Sequence, residues 1–531
     1  MAFTGQTVGL VLGTKGQSGT KNMAAIEIEQ LILADNLTFE DVTIRKEGGA
    51  KKYNGTAITG APKVLGGHDW LYDGSTQRSI VVTDNGDIIR DDGAGDYNGG
   101  TTLKSGLTIA STTMAMFVEG GKEAAANNKK LFVFTGRNAI QVLSGNGATT
   151  TDLSTPPTDW AGTNQPSFGL IHEDRLWGGG NGNDPHRIYY STTGDHEDFT
   201  GSGSGSLSIF PGEGDKLVWA ISFKGLIICA KAPRGLYIID TTDPSSSNWK
   251  IARLSSSIGC AGPSTLVPID DDILLMDSTG AFHLVSSITE FGNLGTRNLS
   301  DIAYFTTFVR GNINLAQLST ASAVFYKAKR EAHFSVAGIG SIVNNRRIVI
   351  DFNRIDIPRF RFSTRDTSVS LWLKADSDGV GRLTMGDDAG FVWDMDQATR
   401  SKDGSGYSAQ FQTPHLDFSF VDDKLGSINK NWSFIELAVE PKGNHNLSID
   451  VFLDDQFSET IQFNMGGVGA TLGSFVLGTD ALAGASILNK RKVIRGRSRR
   501  ISLLGRNSGA AEDFSIAKFY FGFTVSDAEN V

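Results

Sequence analysis

Residues 80–90 read IVVTDNGDIIR: an apolar run, a tight polar turn and a second apolar run. The same hairpin returns as LFVFTGRNAIQVL from Leu131, RLWGGGNGNDPHRIYYS from Arg175, LIICAKAPRGLYIID from Leu226, DILLMDSTGAFHLVS from Asp272, AVFYKAKREAHFSV from Ala323 and LTMGDDAGFVWDMD from Leu383. Successive copies begin roughly 45 to 60 residues apart, the spacing of a β-propeller blade or a comparable sheet repeat. A single unit of this kind cannot bury both faces of its small sheet, so its neighbours must stack on it. The repeats predict an all-β fold in which a β-propeller of six to eight blades occupies most of the chain. A chain built this way is first a scaffold, and any chemistry has to be located separately.

At 531 residues the chain exceeds one ordinary core and suits a large repeat domain with a smaller companion. Gly is abundant at 63 residues, Pro sparse at 13, and 31 Phe supply most of the aromatic content, a balance that favours short strands and turns over long helices. With 49 basic against 58 acidic residues the formal net charge is -9, which argues against coating nucleic acid through overall charge. Cys229 and Cys260 each sit in or beside an apolar run, which suits two buried free thiols and synthesis in a reducing cytoplasm. The amino terminus lacks a basic start followed by a long apolar core, and no apolar run approaches the ~20 residues of a membrane span.

Along the chain, NMAAIEIEQLILADNLTFEDV from Asn22 places Ala25, Ile28, Leu31 and Ile32 on one helical face, although IEIEQLILA also alternates as a strand would. VTIRKEGGAKKYNGT follows as a strand that breaks at Gly48 and Gly49 and resumes at Lys51. The Gly- and Ser-rich GSGSGSLSIF from Gly201 and DTTDPSSSNW from Asp240 read as flexible surface loops. After SKDGSGYSA (401–409) the period changes, and FIELAVEP, LSIDVFLDD and RRISLLGRN alternate over longer strands, as in an antiparallel β-sandwich. The expected division is a propeller-type domain with its amino-terminal segment over 1–404 and a sandwich over 405–531.

Candidate chemistry concentrates between residues 172 and 198, where His172, Glu173, Asp174, His186, Asp195, His196, Glu197 and Asp198 lie close in sequence. Their spacing provides neither paired helical histidines nor paired cysteines, so no metal or other cofactor is expected. Asp-rich turns such as DNGD from Asp84 and DSDG from Asp376 lack the closing glutamate of a long calcium loop, and hairpin turn chemistry accounts for them. STTGDHEDF from Ser191 faintly resembles a sialidase turn but does not recur, and no nucleophile elbow or phosphate loop is present. The chain is expected not to be an enzyme. Arg175, Leu176, Trp177, Tyr189 and Tyr190 read as side chains filling the space between blades, with Arg175 and Asp174 as an ion pair or turn cap.

Several stretches taken in order resemble the tail nozzle, or DNA-stabilisation, proteins of short-tailed double-stranded DNA bacteriophages. They are the opening DNLTFEDVTIRKEGGAKKYNGT with GGHDWLYDGSTQRSIVVTDNGDIIR, the central IHEDRLWGGGNGNDPHRIYYSTTGDHEDF (171–199), then GDKLVWAISFKGLIICAKAPRGLYII and SIGCAGPSTLVPIDDDILLMDSTGAFHLVS. The opening departs from that family's pattern at Lys46-Glu47-Gly48-Gly49, where a proline is often found. The resemblance implies a structural virion protein, a homohexamer around an axial channel in the virion tail. It would dock to portal-adaptor proteins, carry or contact tail fibres and meet viral DNA transiently. Lys490, Arg491, Lys492, Arg495, Arg497, Arg499 and Arg500 form the strongest charge feature. They read either as the wet face of a hairpin that also guards a sheet edge, or as a contact with DNA phosphates or a neighbouring subunit. The readings from other classes are a glycan-binding or glycan-degrading propeller and a non-viral propeller interaction platform.

Overall fold

The computed structural model describes residues 5–20, 26–40, 42–72, 76–109, 114–121, 129–213, 215–285, 287–288, 293–294, 297–299, 304–353, 358–374, 381–467 and 487–525. The repeats form blades. Blade 1 is Val64–Leu71, Gln77–Thr83, Ile88–Arg90 and Thr101–Lys104. Blade 2 is Met116–Gly121, Lys129–Phe134, Gln141–Ser144 and Thr151–Asp152. Blade 3 is Phe168–His172, Arg175–Gly179, Arg187–Tyr190 and Gly205–Ser208. Blade 4 is Lys216–Phe223, Leu226–Ala232, Leu236–Asp240 and Lys250–Ser255. Blade 5 is Leu266–Ile269, Asp272–Met276, Phe282–Leu284 and Arg297–Asn298. Blade 6 is Ser322–Tyr326, Glu331–Ala337, Asn344–Asp351 and Arg359–Ser363. Blade 7 is Ser370–Lys374, Arg382–Gly386 and Val392–Gln397, with Gly49–Lys52 from the other end of the chain as its outermost strand.

The first strands of consecutive blades pack side by side, and that of blade 7 returns to that of blade 1. The fold is a seven-bladed β-propeller joined to a β-sandwich. Each quoted hairpin lies within one blade, six as second and third strands; the one from Ala323 is the first and second strands of blade 6. The turns explain why these hairpins are legible. In blades 5 and 7, Asp277 and Asp387 accept from the backbone N–H groups two and four residues on, and Gly280 and Gly390 supply the positive φ the turn requires. The second carboxylate oxygen reaches the ring N–H six residues on, of His283 in blade 5 and Trp393 in blade 7.

Other expectations are corrected. GSGSGSLSIF contains the fourth strand of blade 3, because a polar outer strand carries little hydrophobic signal, whereas DTTDPSSSNW is a loop with one 3-10 turn that leads into the fourth strand of blade 4. Residues 26–32 are bends and turns rather than a helix: Leu31 pairs across to Gly16, Gln17 and Ser18, and this tertiary pairing overrides the helical spacing. Residues 21–25 of that candidate, and Asp376–Gly379, lie outside the described residues. Among the described residues the α-helix is Phe305–Asn312, in the connection between blades 5 and 6, where Phe305 stacks on Phe360.

The amino-terminal segment does not belong to the propeller alone. Gly5–Leu10 pairs with Ser515–Val525, which Lys430–Val439 and the hairpin Leu37–Glu40 and Thr43–Lys46 also join, and Leu488–Ser498 is the outer strand of this sheet. The second sandwich sheet holds Ala409–Gln412, Ile501–Asn507, Asn446–Leu453 and Gln456–Asn464. Leu33–Asp35 joins it antiparallel to Ala409–Gln412 and parallel to the last strand of blade 6, so one nine-stranded sheet runs from blade 6 into the sandwich. Phe411, Phe418, Trp432, Phe519, Phe521 and Phe523 fill the sandwich core. Strand pairing is non-local, and a cut at residue 405 separates Gly5–Leu10, Leu37–Glu40 and Thr43–Lys46 from the sandwich sheet they join.

Candidate interaction sites

The acidic and histidine-rich stretch of blade 3 fastens blades together. His172 is buried between Ser222 and Thr241 of blade 4, 2.8 Å from each hydroxyl, and burial lowers its pKa. His196 accepts from the Gly121 N–H at 2.9 Å and packs its ring against Phe132 of blade 2. Glu197 pairs with Lys130, and Asp198 accepts from the N–H groups of Thr200 and Gly201. Arg175 donates to the carbonyls of Ser191 and Gly203 and lies over Tyr190 and Trp249, while Asp174 holds a positive-φ turn position, its carbonyl accepting from Gly194. Trp177, Tyr190 and Trp249 pack with centroids 4.9 to 5.4 Å apart. These carboxylates and imidazoles are committed to turns and inter-blade contacts. Among the described residues no three His, Cys, Asp or Glu side chains converge as metal ligands would.

Cys229 and Cys260 are buried free thiols. Burial pushes Cys260 up to about 11 and Cys229 higher still, which makes both poor nucleophiles. Where the first strands of blades 4 to 7 converge, a cavity of about 310 Å³ is lined mainly by apolar groups, including Trp219, Leu266, Val324, Phe325 and Leu373.

The strongest electrostatic site lies where propeller and sandwich meet, and it was not singled out from the sequence. Along blade 6 the register places Glu331 opposite Asp351, and Asp351 opposite Arg359, with Arg361 and Arg347 on the same face. The opposite face, with Phe334, Ile348, Ile350 and Phe360, packs into the blade 5 core. Arg361 makes two parallel bonds to Glu331, at 2.7 and 2.9 Å, a bidentate pair. Glu47 enters this charged face from the amino-terminal segment: Arg347 bonds it at 2.8 Å, with Arg361 and Arg365 within 3.6 and 3.9 Å. Burial opposes ionisation of Glu47, but the three guanidinium groups outweigh it and hold the carboxyl at about 2. Its backbone is fixed as well, the N–H by the Asn36 carbonyl and the carbonyl by the Tyr407 hydroxyl. Two residues later Gly49 starts the closing strand of blade 7. A Cβ there would stand 2.0 Å from the Thr399 carbonyl oxygen, a clash only glycine avoids.

The seven basic residues of 490–500 occupy a different environment. They lie on Leu488–Ser498 and the turn after it, at the edge of the first sandwich sheet, with Lys492, Arg495, Arg497 and Arg499 exposed. Arg491 pairs with Glu436 at 2.5 Å and lies 3.9 Å over the Phe434 ring; Arg500 pairs with Asp455 at 2.6 Å; Lys490 donates to the Gly466 carbonyl. Asp454 accepts from the backbone N–H groups of Arg499 and Arg500, and Glu459 from that of Arg495.

No protein-family model matches the chain, and no curated protein matches it. Among solved structures it is similar to BBS1N, solved in complex with ARL6DN, at 10% identity and a TM-score of 0.40 over 69% of this chain and 99% of that one. It is likewise similar to YCF48 bound to D1 peptide, at 10% identity and a TM-score of 0.39 over 66% and 95%.

Proposed function

We propose that this chain is a non-catalytic structural protein that builds an assembly, and that the assembly is the nozzle or distal tube of a short phage tail. In this reading six copies surround a DNA channel, dock to the portal-adaptor ring, contact fibres outside and retain the genome until ejection. The ordered sequence resemblance supports the nozzle as the form of that assembly. The observation that carries the mechanical part is the weld at Glu47: one segment seals the propeller ring and anchors the sandwich, so the two move as one wall element. A closed ring repeats a single heterologous interface, and modest contacts then add through multivalency. The second reading is a non-viral β-propeller that serves as an interaction platform, which the propeller fold supports without the sequence resemblance.

The test is the mass and electron-microscopic appearance of the purified protein, alone and mixed with a portal-adaptor complex. A ring with an axial hole at the base of the adaptor is the expected result. A protein that ignores the complex overturns the nozzle reading and leaves the platform.

A further inference from the structure

The edge strand Leu488–Ser498 carries more than charge. Val493 is 66% exposed within it, Ile487 is 49% exposed just before it, and Phe457 is 59% exposed on the strand whose Glu459 caps the Arg495 N–H. Charge and the bulge opposite Trp432 and Phe434 suffice to guard an edge, and an exposed Val493 adds nothing to that guard. A phosphate-binding strand gains nothing from exposed Val, Ile and Phe, and the carboxylates of Glu436, Asp454, Asp455 and Glu459 around it would repel a polyanion. Arginine mixed with large apolar side chains is the composition of a protein–protein interface.

We infer that this face is a docking surface between copies of the chain, the basic strand of one copy meeting an acidic surface of the next. Charge complementarity identifies the occupant. With the seven basic residues of 490–500 set aside, the chain carries 42 basic against 58 acidic residues, so the rest of a second copy is net acidic and attracts this strand. A basic strand facing an acidic surface elsewhere on the same molecule is a heterologous contact, the type that closes rings. From Arg491 to Arg497 the strand spans about 20 Å at ~3.3 Å per residue, long enough for several charge pairs. The inference rests on the assembly reading above and supplies the surface through which the copies join.

The experiment is sedimentation of the full chain across a concentration series at low and high salt, for wild type and for K492E/R495E/R497E/R499E. Wild type is expected to self-associate more tightly at low salt, and the variant at least tenfold more weakly with an unchanged melting temperature. Should the quadruple variant fold poorly, V493D, which leaves every arginine in place, is expected to weaken association in the same direction. Assembly unchanged in the folded variants, a wild type that stays monomeric at low salt, or a variant whose loss is confined to binding a short DNA duplex would each overturn the inference. Copies that join through this strand yet ignore the portal-adaptor complex would overturn only the nozzle reading.

Discussion

Two stretches of this chain look alike on paper: RFRFSTR (359–365) and KRKVIRGRSRR (490–500), each interleaving arginine with other residues along a strand. In the first, Arg359, Arg361 and Arg365 are buried among carboxylates; in the second, Arg495, Arg497 and Arg499 are exposed residues. The difference teaches that alternation reports a two-faced strand but not what covers each face. Blade 6 is covered on both, by an apolar neighbour and by the acidic junction with the sandwich. The outer sandwich strand is covered on one. A buried ion pair is expensive to dehydrate, so its gain is a fixed geometry more than net stability; an exposed cation contributes little to the fold and is available to a partner.

The comparison breaks first at Glu47. Glu47→Ala removes the carboxylate that Arg347, Arg361 and Arg365 share, leaving them only Glu331 and Asp366, and is expected to cost about 3–5 kcal/mol, the penalty for removing one partner of a buried pair. Equilibrium denaturation at pH 7 reads it; a loss below 1 kcal/mol would mean that water already screens the junction. Because the folded-state pKa of Glu47 is depressed, its contribution is present above about pH 4.5 and is lost as the pH falls toward 2.

Next in size is Gly49→Ala, which forces the closing strand off the Thr399 carbonyl at a cost of about 1–3 kcal/mol. Limited proteolysis is expected to cut first in blade 7. Cleavage elsewhere would show that the ring does not depend on this strand.

Asp35 tests the junction in the opposite sense. Burial, offset in part by bonds from the Thr364 hydroxyl and N–H, pushes its carboxyl up to about 6. A raised carboxyl stabilises the fold fully below its unfolded value near ~4, and that contribution is lost as the pH rises through 6. Asp35→Asn is therefore expected to stabilise the protein by about 1–2 kcal/mol at pH 7.5 and to be neutral at pH 4. Melting curves at the two values decide, and equal shifts at both would exclude titration as the cause.

The smallest effect is expected at the edge. Arg495→Ala should change stability by no more than about 0.5 kcal/mol, the range of surface substitutions. A loss near that of Glu47→Ala would erase the distinction between the two arginine sets.

Much of the fold was legible because much of it is local. Each blade is built round hairpins whose partners are a few residues apart, and Asp277 with Gly280, or Asp387 with Gly390, announces its turn whatever surrounds it. The sequence by itself determined the all-β class, the hairpin repeats of a propeller and the longer alternating strands after residue 405, and left the blade count, here seven, to the tertiary structure. What only the tertiary structure decided was non-local: that GAKK (49–52) closes blade 7, some 340 residues away along the chain, that residues 5–46 lend strands to the sandwich, and that the arginines of blade 6 are buried while those after residue 490 are not. A four-residue strand has too few side chains to signal its partner. A charged side chain reads as solvent-facing until its counter-charge, here Glu47 arriving from some 300 residues upstream of Arg347, is brought against it.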